Sequence, residues 1–134
     1  MTNKMINPAS LYDSVKFGFS HAAVSRGGTT IECAGQVAWN AKAEVVGVGN
    51  LRAQTAQALA NLKDVLAAAG ATPADIVRLR TYVVDHNPDK LEPVLSEVGR
   101  FYAGASPAPN TFIGVQALAL PDFLIEIEAT AVID

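Results

Sequence analysis

The sequence is short of several things, and each shortage excludes something. It has one cysteine, Cys33, in 134 residues. That rules out a disulfide within the chain and fits a reducing compartment. It has two histidines, His21 and His86, and neither sits in an HxxxH, HExxH or CxxC arrangement. No metal site and no cofactor are therefore expected. Basic residues number 10 against 13 acidic, for a net charge of −3, and they form no cluster. Such a chain lacks the footprint of a nucleic-acid binder. No uninterrupted apolar run approaches the ~18 residues of a membrane span. Met1 to Ser10 is polar, without the apolar stretch of a secretory signal, and the cytoplasm is the expected location. There is no GxSxG. Gly47-Val48-Gly49-Asn50 precedes a helix but lacks a third glycine and a following lysine, so it reads as a loop and cap rather than a phosphate cradle.

What remains is a globular composition, 50% hydrophobic and 17% charged. A single domain over residues 1–134 is expected, with 1–16 as a peripheral segment of no clear period. Phe17 to Ser25 and Thr29 to Ala34 read as strands joined by the Arg26-Gly27-Gly28 turn, a hairpin. Gly35, inside a strand pattern, marks a bulge or a close backbone approach. Residues 41–49 form a loop holding a short edge-strand candidate, Ala43 to Val46. Leu51, Thr55, Leu59, Leu62, Leu66 and Ala69 recur at helical spacing, with Asn50 placed to cap the helix and Gly70 to end it. Ile76 to Asp85 reads as a strand with Val77, Leu79, Thr81 and Val83 on the core face. Arg78, Arg80, Tyr82 and Val84 lie on the other. A second helix from about Leu91 to Tyr102 carries a stripe of Leu91, Val94 or Leu95, Val98, Phe101 and Tyr102.

The C-terminal stretch carries most of the information. Runs from Thr111 to Leu118 and from Phe123 to Ile133 flank a Pro121-Asp122 turn and read as a hairpin. The second run alternates, with Leu124, Glu126, Glu128 and Thr130 on one face and Ile125, Ile127, Ala129 and Ala131 on the other. A face with two carboxylates must meet water, a partner or a ligand. Glu126 and Glu128 are either solvated carboxylates paired with Arg78 or Arg80, or functional groups. The order β-β-α-β-α-β-β implies an α+β domain with a mixed sheet and both helices on one face. The other face is left bare, and an apolar bare face predicts oligomerisation. His86 reads as a solvated turn residue, His21 as a strand-edge residue and Cys33 as a small core residue.

Several of these segments together resemble the Rid family (reactive-intermediate deaminases, also called YjgF/UK114 proteins). The matching residues are Phe19-Ser20-His21-Ala22, Gly35-Gln36, Gln54, Asn61-Leu62, Ala69-Gly70, Asp75-Ile76-Val77, Tyr82-Val83-Val84-Asp85, Phe101-Tyr102, Pro107 to Thr111 and Glu126-Ile127-Glu128-Ala129. The resemblance implies a chorismate mutase-like fold assembling as a homotrimer around a central barrel, with small-molecule clefts between subunits. It also implies hydrolysis of imines or enamines, in which an arginine grips the substrate carboxylate and a final-strand glutamate positions the attacking water. On this chain the glutamate is Glu126 and the Gly-Gln pair is Gly35-Gln36.

The sequence departs from the pattern at four positions. Asn110 stands at the arginine position, Phe19 at a tyrosine, Ala34 at a serine and Leu95 at an asparagine. Asparagine offers neutral hydrogen bonds where arginine offers a charged, bidentate grip. With Phe19, Trp39 and Phe112 lining it, the cleft would suit a less anionic ligand. Arg78 or Arg80 is the alternative source of charge. Two functions stay open: an imine deaminase of altered specificity, and a non-catalytic module binding a small metabolite, such as a keto acid or imine. A ribonuclease, the label attached to some relatives, fits the acidic chain poorly.

Overall fold

A computed structural model describes residues 3–134. Its main sheet has four strands in the order β3-β6-β4-β5: β3 Thr29–Gln36, β4 Ile76–Val84, β5 Asn110–Val115 and β6 Ile125–Ile133. β6 runs antiparallel to both β3 and β4, and β4 runs parallel to β5. The sheet is thus mixed, as the element order required. Helices α1, Leu51–Ala68, and α2, Leu91–Tyr102, pack on one face of it. The architecture is α+β and chorismate mutase-like.

Local chemistry explains the helix limits. The Asn50 side chain accepts from Ala53 N, and Gly70, at φ 82°, takes the left-handed position after α1. Leu59, Leu62 and Leu66 of α1 and Val94, Val98 and Tyr102 of α2 are buried against Ile76, Leu79, Val83, Ile125, Ile127, Ala129 and Ala131 of the sheet. Cys33 lies in the same core, as expected. On α2, Val94 is the core residue while Leu95 is half-buried and faces a cleft.

Gln54 is fully buried in α1. Its amide donates to Gly47 O at 3.2 Å and Asp122 O at 2.9 Å, and its oxygen accepts from Leu124 N at 3.0 Å. One side chain therefore ties the helix start to the loops before α1 and before β6. Burial of an amide is tolerated here because both its polar ends are satisfied.

Several expectations are corrected. Residues 17–34 do not form a hairpin: β2 is only Ala22–Val24 and pairs antiparallel with β1, Lys4–Ile6, in a separate two-stranded sheet. The polar start of the chain gave no sign of β1. Val15–Phe17 is a 3₁₀ turn ended by Gly18 at φ 88°. The C-terminal runs do not pair with each other either, because β4 lies between β5 and β6. A bulge in β4 places Ile76 rather than Val77 in the core, and the alternation resumes from Leu79. The 41–49 loop forms no strand beyond an isolated bridge from Trp39 to Val45. The sheet face opposite the helices is not simply apolar: Glu32, Arg78, Arg80, Glu128 and Thr130 gather on it, beside half-buried Leu124, Val84, Ile113 and Val115.

Candidate functional site

The alternation of β6 holds in three dimensions. Ile125, Ile127, Ala129 and Ala131 are buried under the helices, and Glu126 and Glu128 emerge on the opposite face. There Glu126 pairs in register with Tyr82 and Glu128 with Arg80 of β4. The two carboxylates differ in surroundings. Glu128 accepts a short hydrogen bond from the Tyr82 hydroxyl. That bond, with a smaller contribution from burial, holds the Tyr82 pKa above its ordinary value. Among the described residues, none hydrogen-bonds the Glu126 carboxylate. Instead it lies over the backbone of Gly35, where a Cβ would sit 2.1 Å from its Oε2. The β3–β6 register shifts between Cys33 and Gln36, so Gly35 occupies a bulge as well as a close approach.

Beyond the bulge, Gly35, Gln36 and Trp39 line an open cleft of about 600 Å³ with Asn61 and Asp64 of α1. Asn61 holds its wall in place, donating to Val37 O at 3.0 Å and Trp39 O at 2.7 Å. Its own oxygen accepts from Gln57 Nε2 at 2.8 Å. The Trp39 ring packs edge-on against Phe123 at 5.2 Å. Ala34 is exposed and does not line this cleft, though its carbonyl accepts from Gln36 Nε2 at 3.3 Å.

A second cleft, of about 400 Å³, lies at the β5 edge between that strand, α2 and the segment before β2. Four of the sequence-derived residues meet here: Phe19, Leu95, Asn110 and Phe112. Tyr12, Phe17, Leu91 and Thr111 complete it. Asn110 and Phe112 stand beside Leu79 and Thr81 in the parallel β4–β5 register, so they point to the helix face. The Asn110 Oδ1 accepts from the buried Thr81 hydroxyl at 3.1 Å.

The aromatic wall is held by Asn7, whose side chain bonds Ser14, Ser20 and the backbone N–H of His21. The Tyr12 ring meets Phe17, Phe19 and His21 edge-on, and Tyr12 O lies 2.9 Å from His21 Nε2. His21 is thus part of this wall in a bend rather than a strand-edge residue. His86 is not simply solvated: its ring packs on Phe112 at 4.7 Å, and its buried Nδ1 has no hydrogen-bond partner among the described residues. Tyr12 escaped the sequence reading because it lies in a segment without period, and Phe17 because it reads as the start of a strand rather than the 3₁₀ turn it ends. The signal available was the density of aromatic rings at 12, 17 and 19.

The predicted site residues therefore fall into two groups. Glu126, Gly35, Gln36 and Trp39 lie at the β3–β6 side, with Glu126 on the helix-free face. Asn110, Phe19, Leu95 and Phe112 lie at the β5 edge on the helix face. One chain does not bring them together. Arg78 and Arg80 stand on the helix-free face, where Arg78 reaches Thr111 Oγ1 at 3.4 Å, and neither lines the Asn110 cleft.

This arrangement matches known proteins over nearly the whole chain. The family described as Endoribonuclease L-PSP matches residues 14–133. The crystal structure of YyfB from Yersinia pestis, a protein of unknown function of the conserved Rid protein family, superposes with a TM-score of 0.97 at 62% identity, covering 99% of this chain and 100% of that one. A RutC family protein of Pyrococcus horikoshii is 33% identical over 79% of this chain and 81% of its own. A 2-iminobutanoate/2-iminopropanoate deaminase of Dermatophagoides farinae is 30% identical over 80% of each chain. The chain belongs to the Rid family. Among the described residues, no helix is long and apolar enough to cross a membrane.

Proposed function

We propose that the protein binds a small metabolite in clefts between the subunits of a homotrimer and hydrolyses an imine or enamine there. Glu126 positions the water. The water adds to the imine carbon, the nitrogen leaves as ammonia, and a carbonyl compound remains. The observation that carries this reading is the separation of the two half-sites. Glu126, on the interior strand β6, and the Asn110 cleft, at the β5 edge, lie on different faces of one sheet, so a neighbouring subunit is needed to join them. Among the described residues, β3 and β5 are the edge strands of the main sheet, and an edge strand can meet a neighbour. The deaminase among the relatives supports the reaction class. Family descent supports the trimer.

The absence of an arginine at 110 favours a second reading, a binding protein without turnover. Both readings are tested by a coupled assay in which an amino-acid oxidase or a dehydratase generates imines. Faster ammonia release that Glu126→Gln abolishes establishes the hydrolase. Binding without acceleration establishes the module. Light scattering should give about 42 kDa, three times the 14.0 kDa chain, and a 14 kDa monomer would remove the joined cleft altogether.

A further inference from the structure

We propose that the Asn110 cleft selects an uncharged ligand, with a ring-sized apolar body and a carbonyl or amide oxygen that accepts a hydrogen bond from Asn110 Nδ2. The proposal rests on this cleft being the ligand site of the function above, and it adds the ligand's chemical class. Five of the eight residues lining the cleft are Phe17, Phe19, Leu91, Leu95 and Phe112. No lysine, arginine, aspartate or glutamate is among the eight. A charged ligand entering here sheds water and meets no counter-charge among these eight residues, which is unfavourable. The rings of Tyr12, Phe17 and Phe19 meet edge-on, and Phe112 is braced from behind by His86. A flat apolar body can pack among them in the same geometry.

Thr81 gives the polar end its sign. Its hydroxyl is fully buried and donates to Asn110 Oδ1 at 3.1 Å. That bond fixes the amide's orientation and leaves its NH₂, which only donates, for the cleft. An ammonium or guanidinium, itself only a donor, gains nothing from that NH₂, whereas a carbonyl oxygen does. Thr81 touches no ligand on this reading. It is a positioning residue that fixes which end of the asparagine is presented.

The test compares three probes of one size, phenylacetamide, phenylacetate and 2-phenylethylammonium, titrated into the full-length protein by calorimetry and ligand-observed NMR. Phenylacetamide should bind about tenfold or more tightly than either charged probe. Asn110→Ala should weaken the amide by about 2- to 12-fold, the range of a neutral hydrogen bond. Asn110→Asp, which replaces the donor with an acceptor, should turn the order towards 2-phenylethylammonium. Thr81→Val, similar in shape but unable to hold the oxygen, should narrow the amide's advantage over the ammonium. Circular dichroism and light scattering confirm that each variant is folded.

Phenylacetate binding as well as the amide, an order unmoved by the Asn110 variants, or no binding of any probe would overturn the proposal. Its failure is separable from that of the hydrolase. If the order holds but no imine is turned over, the hydrolase reading falls and this one stands. If the wild type hydrolyses 2-iminopropanoate as fast as an arginine-bearing relative, this one falls and the hydrolase stands.

Discussion

Glu126 occupies the space that a side chain at Gly35 would need. A Cβ there would lie 2.1 Å from its Oε2, 2.7 Å from its Cδ and 2.8 Å from its Cγ. The obstacle is a flexible side chain, not backbone, so the clash is relieved by moving the carboxylate. The β3 bulge brings the bare glycine backbone up against it. This gives Gly35 a role in placing Glu126 that glycine alone can fill without displacement.

Gly35→Ala should therefore leave the fold intact and damage the site. Thermal unfolding should change by less than about 1 kcal/mol, as for a substitution outside the core. Any imine hydrolysis should fall by about 10- to 100-fold, the scale of an ångström-sized misplacement. Full activity in a stably folded Gly35→Ala variant would show that the position of Glu126 does not matter.

Asn110→Arg should restore grip on acidic imines such as 2-iminopropanoate. A charged hydrogen bond contributes about 1.5–3 kcal/mol, or roughly 10- to 150-fold in affinity. The gain should fall towards the lower end, because Phe19, Ala34 and Leu95 still lack polar groups and site residues do not act additively. Glu126→Gln should abolish turnover in both backgrounds. Steady-state kinetics on the four proteins decides this, and wild-type rates indifferent to Glu126→Gln would place the site elsewhere.

Gln54→Leu should destabilise the protein by about 2–4 kcal/mol. It leaves Leu124 N–H and two carbonyls, of Gly47 and Asp122, without their partner inside the structure, and each buried orphan costs about 1–3 kcal/mol. Urea unfolding measures the loss. A shift under about 0.5 kcal/mol would mean that these groups find other partners.

Stability should fall in alkali. Burial pushes the Cys33 thiol above its ordinary 9.0, with Glu32 adding to it, and pushes Tyr102 well above 10.0. The bond that the Tyr102 hydroxyl accepts from Ala108 N, at 3.2 Å, pulls it back only partly. The folded state then keeps protons that the unfolded chain gives up. Their contribution is complete below about pH 9 and is lost as pH rises through 9 and 10 towards the raised values. Urea midpoints should be flat to about pH 8.5 and then decline. Tyr102→Phe should lessen the decline above pH 10, by at most about 1.4 kcal/mol per pH unit. An unchanged slope would assign the decline to other groups.

The local elements were legible where period and punctuation agree. α1 carries its own cap in Asn50, its own stop in Gly70 and a leucine stripe, all within one stretch of chain. The two faces of β6 follow from strict alternation, which is why Glu126 and Glu128 stand apart from Ile125 and Ile127. The family was legible too, because its matches keep order and spacing along the whole sequence. Strand pairing was not. Two adjacent β-rich runs with a Pro-Asp turn between them look like a hairpin, yet β4 enters between β5 and β6.

The sequence by itself determined the helices, the alternation of the last strand and the types of residue available to a site. Each of those depends on chemistry within a few residues. The tertiary structure alone decided that β1 pairs with β2, that Ile76 replaces Val77 in the core, and that Tyr12, Phe17 and His86 gather around Asn110 and Phe112. It alone parted Glu126 from Asn110 onto two faces of one sheet. These depend on which strand lies beside which, and on a one-residue bulge that reverses side-chain direction. Contacts between residues distant in sequence set both, so no short window of the chain encodes them.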